Sequence, residues 1–206
     1  MEKRGKFVAL EGIDGSGKSS QVKVLTSKMK EAGLPAYPTF EPTAGPIGSL
    51  IRNIFSGRIE ADQRTIAGLF VADRLDHLLN KTDGIIQKIN SGCHVVTDRY
   101  FFSSLAYQGT HVDMDWVIQA NSKSVKLLRP DLHIFLDVKP EQSIERLKSD
   151  RRSADMYEKL ETLQKVRQNF FTAFEKMPEE NVVIIDGAKP FDEVSAAIWK
   201  EVSGIF

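Results

Sequence analysis

The sequence predicts an α/β fold: a five-stranded parallel sheet flanked by helices. Three observations lead there. Short apolar runs alternate with stretches of helical periodicity along the whole chain. Between the first run and the first helical stretch lies Glu11-Gly12-Ile13-Asp14-Gly15-Ser16-Gly17-Lys18-Ser19-Ser20, which contains G-x-x-x-x-G-K-[ST]. A later apolar run ends in Asp98-Arg99, and charge just past the C-terminal end of a parallel strand lies in the crevice where such sheets bind ligands.

Lys6 to Leu10 reads as the first strand. In the loop that follows, glycines allow close backbone approach to an anion, and successive N–H groups from Gly12 through Ser20 lead into the positive end of a helix. Lys18 is expected to reach β- and γ-phosphates, and the Ser19 hydroxyl to ligate Mg²⁺. Val22, Leu25 and Met29 recur at helical spacing, and Gly33 stops that helix. Leu34 to Phe40 is the second strand, kept short or at an edge by Pro35 and Pro38. After the loop Glu41-Pro42-Thr43-Ala44-Gly45, Pro46 starts a helix carrying Ile47, Leu50, Ile51, Arg52 and Ile54.

Asp62 is the expected N-cap of a long helix reaching about Leu79. On it Phe70 and Arg74, four apart, share a face. A helix from Thr82 to Ile89 ends at Ser91-Gly92. His94 to Tyr100 is a strand ending in charge, followed by helices over Ser103–Gln108 and Asp113–Leu128. Leu132 to Asp137 is the fourth strand, and Pro140 opens a helix with Ile144 and Leu147. The charge-dense segment at about 148–156 contains Arg151-Arg152 and suits a lid that closes cations over a transferring phosphate. Leu160, Leu163, Val166, Phe170 and Phe174 mark a long amphipathic helix. Asn181 to Ile185 is the fifth strand, Asp186-Gly187-Ala188 its loop, and Val194, Ile198 and Val202 lie on a closing helix.

With 206 residues, one domain spanning 1–206 is expected. Lys plus Arg and Asp plus Glu number 28 each, so nothing global points to nucleic acid or a bulk membrane surface. No apolar run approaches the roughly 20 residues of a spanning helix. The single cysteine, Cys93, and the lack of a signal-peptide pattern fit a reducing, cytoplasmic setting. His77, His94, His111 and His133 are scattered, without carboxylate or cysteine at ligand spacing, so each reads as structural or surface. Asn80-Lys81-Thr82-Asp83 matches N-K-x-D, a guanine-reading signature, but follows a helical stretch rather than a strand and reads as coincidence.

A phosphate loop alone does not choose between a switch, a motor and a kinase. The loop Glu11 to Ser19 with its Asp14, the segment Leu69 to Arg74, and Asp98-Arg99-Tyr100 through Ser103 to Gly109 together resemble the thymidylate kinase family. Pro130-Asp131-Leu132 to Asp137-Val138, and Arg146-Leu147, extend the likeness over essentially the whole chain.

That resemblance implies a three-layer P-loop kinase fold, transfer of the ATP γ-phosphate to dTMP, Mg²⁺, and usually a homodimer. It implies that Asp14 meets the deoxyribose 3′-OH and that Arg52 and Arg99 hold the dTMP phosphate. Phe70 stacks on thymine and Arg74 bonds its edge. Ser103, Tyr107 and Gln108 line the nucleoside, and Glu41-Pro42 shapes the wall beside it. Asp98 lies near the metal, while Arg146 and Gly187-Ala188 border adenine. Two departures matter. Phe40 and Thr43-Ala44-Gly45 flank Glu41-Pro42 where bacterial members often read Arg-Glu-Pro-Gly-Gly-Thr. Gly15 stands where some members carry a catalytic arginine, so that charge is expected from Arg151 or Arg152. A kinase of another pyrimidine monophosphate, such as UMP or CMP, and a nucleotide switch remain as alternatives.

Overall fold

The computed structural model describes residues 4–149 and 160–206. Its strands are β1 (Phe7–Glu11), β2 (Ala36–Phe40), β3 (His94–Asp98), β4 (Leu132–Asp137) and β5 (Val182–Asp186). They form one sheet in the order β2-β3-β1-β4-β5, every pairing parallel. The helices are α1 (Lys18–Glu31), α2 (Pro46–Phe55), α3 (Gln63–Leu79), α4 (Ile85–Asn90), α5 (Phe101–Tyr107), α6 (Met114–Leu127), α7 (Pro140–Ser149), α8 (Leu160–Lys176) and α9 (Phe191–Ser203). The predicted α/β class and five-stranded parallel sheet are therefore found.

β1 is the central strand, and all five of its residues are buried. Its side chains alternate between two cores, as strand geometry requires. Phe7 and Ala9 join residues of α5, α6 and α8, including Phe102, Val117 and Phe170. Val8 and Leu10 join Val22, Leu25 and Met29 of α1 with Val194 and Ile198 of α9. Each fully buried side chain of the Leu or Phe type contributes roughly 1.5–3 kcal/mol. Glu11, next in the alternation, points its carboxylate to the α5 side, where it accepts from Ser103.

Several boundaries differ from the sequence reading for local reasons. β2 starts at Ala36, just past Pro35, and is an edge strand, as Pro38 predicts. β3 stops at Asp98 because Arg99 turns to φ 75°. α4 starts at Ile85 because the Asn80 side chain accepts from the Thr82 N–H and holds a turn there. α5 starts at Phe101, and Gln108–Thr110 is a 3₁₀ turn. Of the apolar residues on α2, Leu50 is 37% exposed, while Ile51 and Ile54 are buried. Asp62 caps α3 as expected, accepting from the Arg64 N–H. Asn80-Lys81-Thr82-Asp83 follows α3 rather than a strand, so it lacks the setting of a guanine-reading loop. No helix among the described residues is long and apolar enough to cross a membrane.

Candidate active site

The phosphate loop joins β1 to α1, so α1 begins at Lys18 with its free N–H groups facing the crevice. Two glycines are required by their surroundings. A Cβ on Gly12 would meet the Leu136 carbonyl oxygen at 2.8 Å, at φ 148°. One on Gly15 would meet the Ser143 carbonyl oxygen at 2.7 Å, at φ 75°. Gly17 N-caps α1, with Ser16 buried and Ser20 exposed beyond it.

The Lys18 ammonium folds back over the loop, donating to the Ile13 carbonyl at 2.8 Å and to Ser16 Oγ at 3.2 Å. Burial first, then the charge of Arg99, pushes it down to about 8, against the pull of Asp98, Asp14 and Glu11. The Ser19 hydroxyl donates to Asp98 Oδ2. Asp98 Oδ1 is buried and has no hydrogen-bond partner among the described residues. A hydroxyl beside an orphaned carboxylate oxygen is a donor set that fits a hard divalent cation.

Arg99 lies across the loop. Its Nη1 donates to the Gly12 carbonyl at 3.3 Å and to Ser103 Oγ at 3.1 Å, and its Nη2 donates to Asp14 Oδ1. The Tyr107 hydroxyl accepts from the Asp14 N–H and donates to Asp14 Oδ2, both at 2.9 Å. The Arg99 guanidinium also lies 4.8 Å from the Tyr107 ring centroid. Burial would raise the Asp14 carboxyl, but Arg99, Lys18 and Tyr107 outweigh it and hold it below its ordinary value. Asp14, Arg99, Ser103 and Tyr107, predicted from separate motifs, thus form one cluster. Gln108 adjoins it on the same helical run, 2% exposed, with Oε1 unpaired among the described residues.

Arg74 is turned toward Glu41. It is 1% exposed, and its Nε and Nη2 both donate to Glu41 Oε2, at 2.9 and 2.6 Å. Nη2 also reaches Ser104 Oγ at 3.0 Å, and Nη1 reaches Asn121. His77 Nδ1 lies 3.1 Å from Glu41 Oε1, and its Nε2 lies 2.7 Å from Thr39 Oγ1. Burial would raise Glu41, but Arg74 and then His77 hold it below its ordinary value. Asp73 takes the Thr43 N–H and hydroxyl. Glu41-Pro42 is therefore pinned from α3. Arg52 is exposed and donates to the Pro42 and Thr43 carbonyls, at 3.0 and 2.5 Å, bracing the same loop from α2. Phe70 is 9% exposed and packs with Ile51, Ile54 and Ile66.

On the other side of the loop a cavity of about 250 Å³ is lined by Gly15, Gly17, Ser20, Arg146, Gly187 and Phe191. Arg146 Nη2 donates to the Gly187 carbonyl at 3.0 Å, and the Ala188 N–H donates to Asp186. Arg151 and Arg152, the expected lid cations, lie outside the described residues.

Glu11, Ser143, Asp73 and Asn121 carry no role in the sequence reading. Glu11 sits inside the phosphate-loop motif, and a lone carboxylate closing an apolar strand was the available signal. Ser143 of α7 donates to the Asp14 carbonyl. Asp73 and Asn121 complete the Thr43 and Arg74 contacts. No local pattern marks these last three.

Comparison with known proteins gives one answer. A family model described as Thymidylate kinase matches residues 10–198. A probable thymidylate kinase of Pyrococcus horikoshii is 40% identical over 187 residues, 87% of this chain and 88% of that protein. One of Methanococcus maripaludis is 36% identical, over 92% of this chain and 90% of the relative. A thymidylate kinase of Leptospira borgpetersenii is 35% identical, over 91% and 88% respectively.

Proposed function

The chain belongs to the thymidylate kinase family, and from that premise we propose how its residues phosphorylate dTMP to dTDP with ATP. The observation that carries the proposal is the Asp14–Arg99–Tyr107–Ser103 cluster facing the phosphate loop. ATP lies with its phosphates on the Gly12–Ser20 loop and its adenine in the cavity lined by Arg146 and Gly187, next to Ala188 in the chain. Arg99, with Arg52 from α2, holds the dTMP phosphate, and Asp14 takes the 3′-OH. Ser103, Tyr107 and Gln108 line the nucleoside. Thymine stacks on Phe70, against the wall made by Glu41-Pro42. Arg74 holds that wall through Glu41, and its Nη1, which gives one N–H to Asn121, turns its second to the base edge.

Transfer needs in-line geometry and cations where charge develops. An oxygen of the dTMP phosphate attacks the γ-phosphorus, the bond to the ADP oxygen breaks, and dTDP and ADP result. The acceptor oxygen is already largely ionised near neutral pH, so no strong general base is needed. Lys18 and Arg99 lie beside the transferred group. Ser19 and Asp98 would hold Mg²⁺, which would supply charge neutralisation on the nucleotide. The remaining cation comes from Arg151 or Arg152. Two facts support a lid source: Gly15 has no room for a side chain, and α7, which leads toward that segment, rests on the loop through Ser143.

The protein works as a cytoplasmic enzyme of dTTP synthesis and forms a homodimer. Exposed Leu50, Leu79, Trp116 and Leu127 on α2, α3 and α6 suit a covered helical face. The test is ADP release with dTMP, dUMP, dCMP and UMP as acceptors. Preference for dTMP supports the reading. Equal use of dCMP would move the substrate class, and slow hydrolysis indifferent to any acceptor would indicate a switch.

A further inference from the structure

We propose that Glu11 and Thr97 are positioning residues that clamp Arg99 in a left-handed backbone turn and so aim its guanidinium at the acceptor phosphate. Arg99 has φ 75°, a left-handed conformation that a non-glycine residue keeps only where its surroundings hold it. Three contacts hold it. The Arg99 N–H donates to the Leu10 carbonyl at 2.9 Å, which is the ordinary β1–β3 ladder. The Thr97 hydroxyl donates to the Arg99 carbonyl at 2.9 Å. The next N–H, that of Tyr100, donates to Glu11 Oε1 at 2.9 Å. Two of the three are side-chain contacts, and both fix the Arg99–Tyr100 peptide, one at its carbonyl and one at its N–H.

Glu11 also controls the other end of the arginine. Its Oε2 accepts from Ser103 Oγ at 2.5 Å, and Ser103 Oγ accepts from Arg99 Nη1. An arginine only donates, so Ser103 must accept from it and direct its own proton elsewhere; the Glu11 carboxylate is that acceptor. Both Glu11 and Thr97 are fully buried, and neither touches the crevice. An unpaired buried carboxylate is expensive, so an apolar residue would serve packing better at Glu11. Burial pushes its carboxyl up to about 7, against Ser103, Arg99, the Tyr100 N–H and Arg74. Among neighbouring elements, Arg99 lies beyond β3, Arg74 on α3 and Lys18 on α1, while Phe135 faces it on β4 without charge.

The inference rests on the reading that Arg99 holds the dTMP phosphate, and the experiment separates the two. The KM values for dTMP and ATP, kcat and Tm are measured on wild type, Glu11→Gln, Thr97→Val and Arg99→Ala. In Glu11→Gln one of the two accepting oxygens becomes an amide donor, so either the Ser103 hydroxyl or the Tyr100 N–H loses its acceptor. The dTMP KM is expected to rise about tenfold or more, as for a displaced binding group. Thr97→Val loses one neutral hydrogen bond, and its dTMP KM is expected to rise about threefold or more. The ATP KM should stay within about twofold in both.

The ratio of wild-type to Glu11→Gln kcat/KM for dTMP is followed with pH, so ionisation of the substrate cancels. It should be smallest well below the Glu11 value of about 7 and largest well above it. If Arg99→Ala leaves the dTMP KM unchanged, the phosphate-site reading fails and the clamp with it. If Arg99→Ala impairs dTMP binding while the clamp variants lose only Tm, or the ratio is flat with pH, the clamp alone is overturned. Should Glu11→Gln not fold, a wild-type dTMP KM in Thr97→Val overturns the proposal and a selective rise upholds it.

Discussion

The hydroxyl of Ser143 donates to the main-chain carbonyl of Asp14, and the same serine closes over the Cα of Gly15. α7 thereby rests on the phosphate loop. A side chain at position 15 meets both the Ser143 carbonyl and Leu147, at a backbone angle that disfavours any Cβ. Gly15→Ala should therefore lose about 2–4 kcal/mol, from the left-handed conformation plus overpacking. Urea unfolding measures this, and a loss under 1 kcal/mol would mean that α7 moves aside easily.

Position 15 has no room for an arginine, and the proposed lid source of the remaining charge is directly testable. Replacing Arg151 and Arg152 together by alanine should lower kcat by about 10²-fold or more, with a smaller effect on the dTMP KM. An unchanged kcat would make these residues a solvated face.

The Tyr107 hydroxyl has two roles to separate. By resemblance it lies against the sugar edge; in the structure it grips Asp14 through both the N–H and the carboxylate. Tyr107→Phe should therefore lower kcat/KM for dTMP by about tenfold, as expected for losing neutral and charged hydrogen bonds. It should also relax exclusion of ribothymidine monophosphate. An unchanged ribo-to-deoxy ratio would leave only the Asp14 role.

The Arg74–Glu41 pair is almost fully buried. Glu41→Gln strands the guanidinium and removes the carboxylate facing His77, so a loss of about 3–5 kcal/mol is expected by denaturant titration. The dTMP KM should rise in the folded variant, because the Glu41-Pro42 wall loses its anchor. A stable variant with a normal dTMP KM would reduce the network to packing.

His133 predicts a pH effect. Its ring is fully buried between Phe101 and Phe102, 3.5 Å from Glu180 Oε2. Burial, opposed by Glu180, lowers it from 6.5. The folded protein holds the ring neutral where the unfolded chain takes up a proton. Stability is complete above about 6.5 and falls as pH drops toward the lower folded value, by at most about 1.4 kcal/mol per pH unit for this group. Unfolding midpoints at neutral and mildly acid pH should converge for His133→Leu relative to wild type. Parallel pH profiles would exclude His133 as the source.

The elements were legible where a local signal existed. Pro46 and Pro140 opened helices, Asp62 capped one, and Pro38 marked an edge strand. The phosphate loop was legible because its chemistry is contiguous. What escaped was chemistry assembled across distance. Ser143 lies over a hundred positions from Asp14, and Asn121 lies three helices beyond Arg74. Phe70 and Arg74 were placed on one face, but spacing could not reveal that Arg74 turns inward to Glu41. The left-handed turn at Arg99 has no composition signal either, since neither glycine nor asparagine stands there.

Pro38 sits in the middle of β2, the outermost strand on its side of the sheet. It has no N–H to offer, so an added strand from another molecule would leave a gap in its ladder there. Growth of the sheet from chain to chain is blocked along that border. Copies of this protein that meet on that flank must do so through helices rather than by continuing the sheet, which also guards the folded enzyme against forming filaments there.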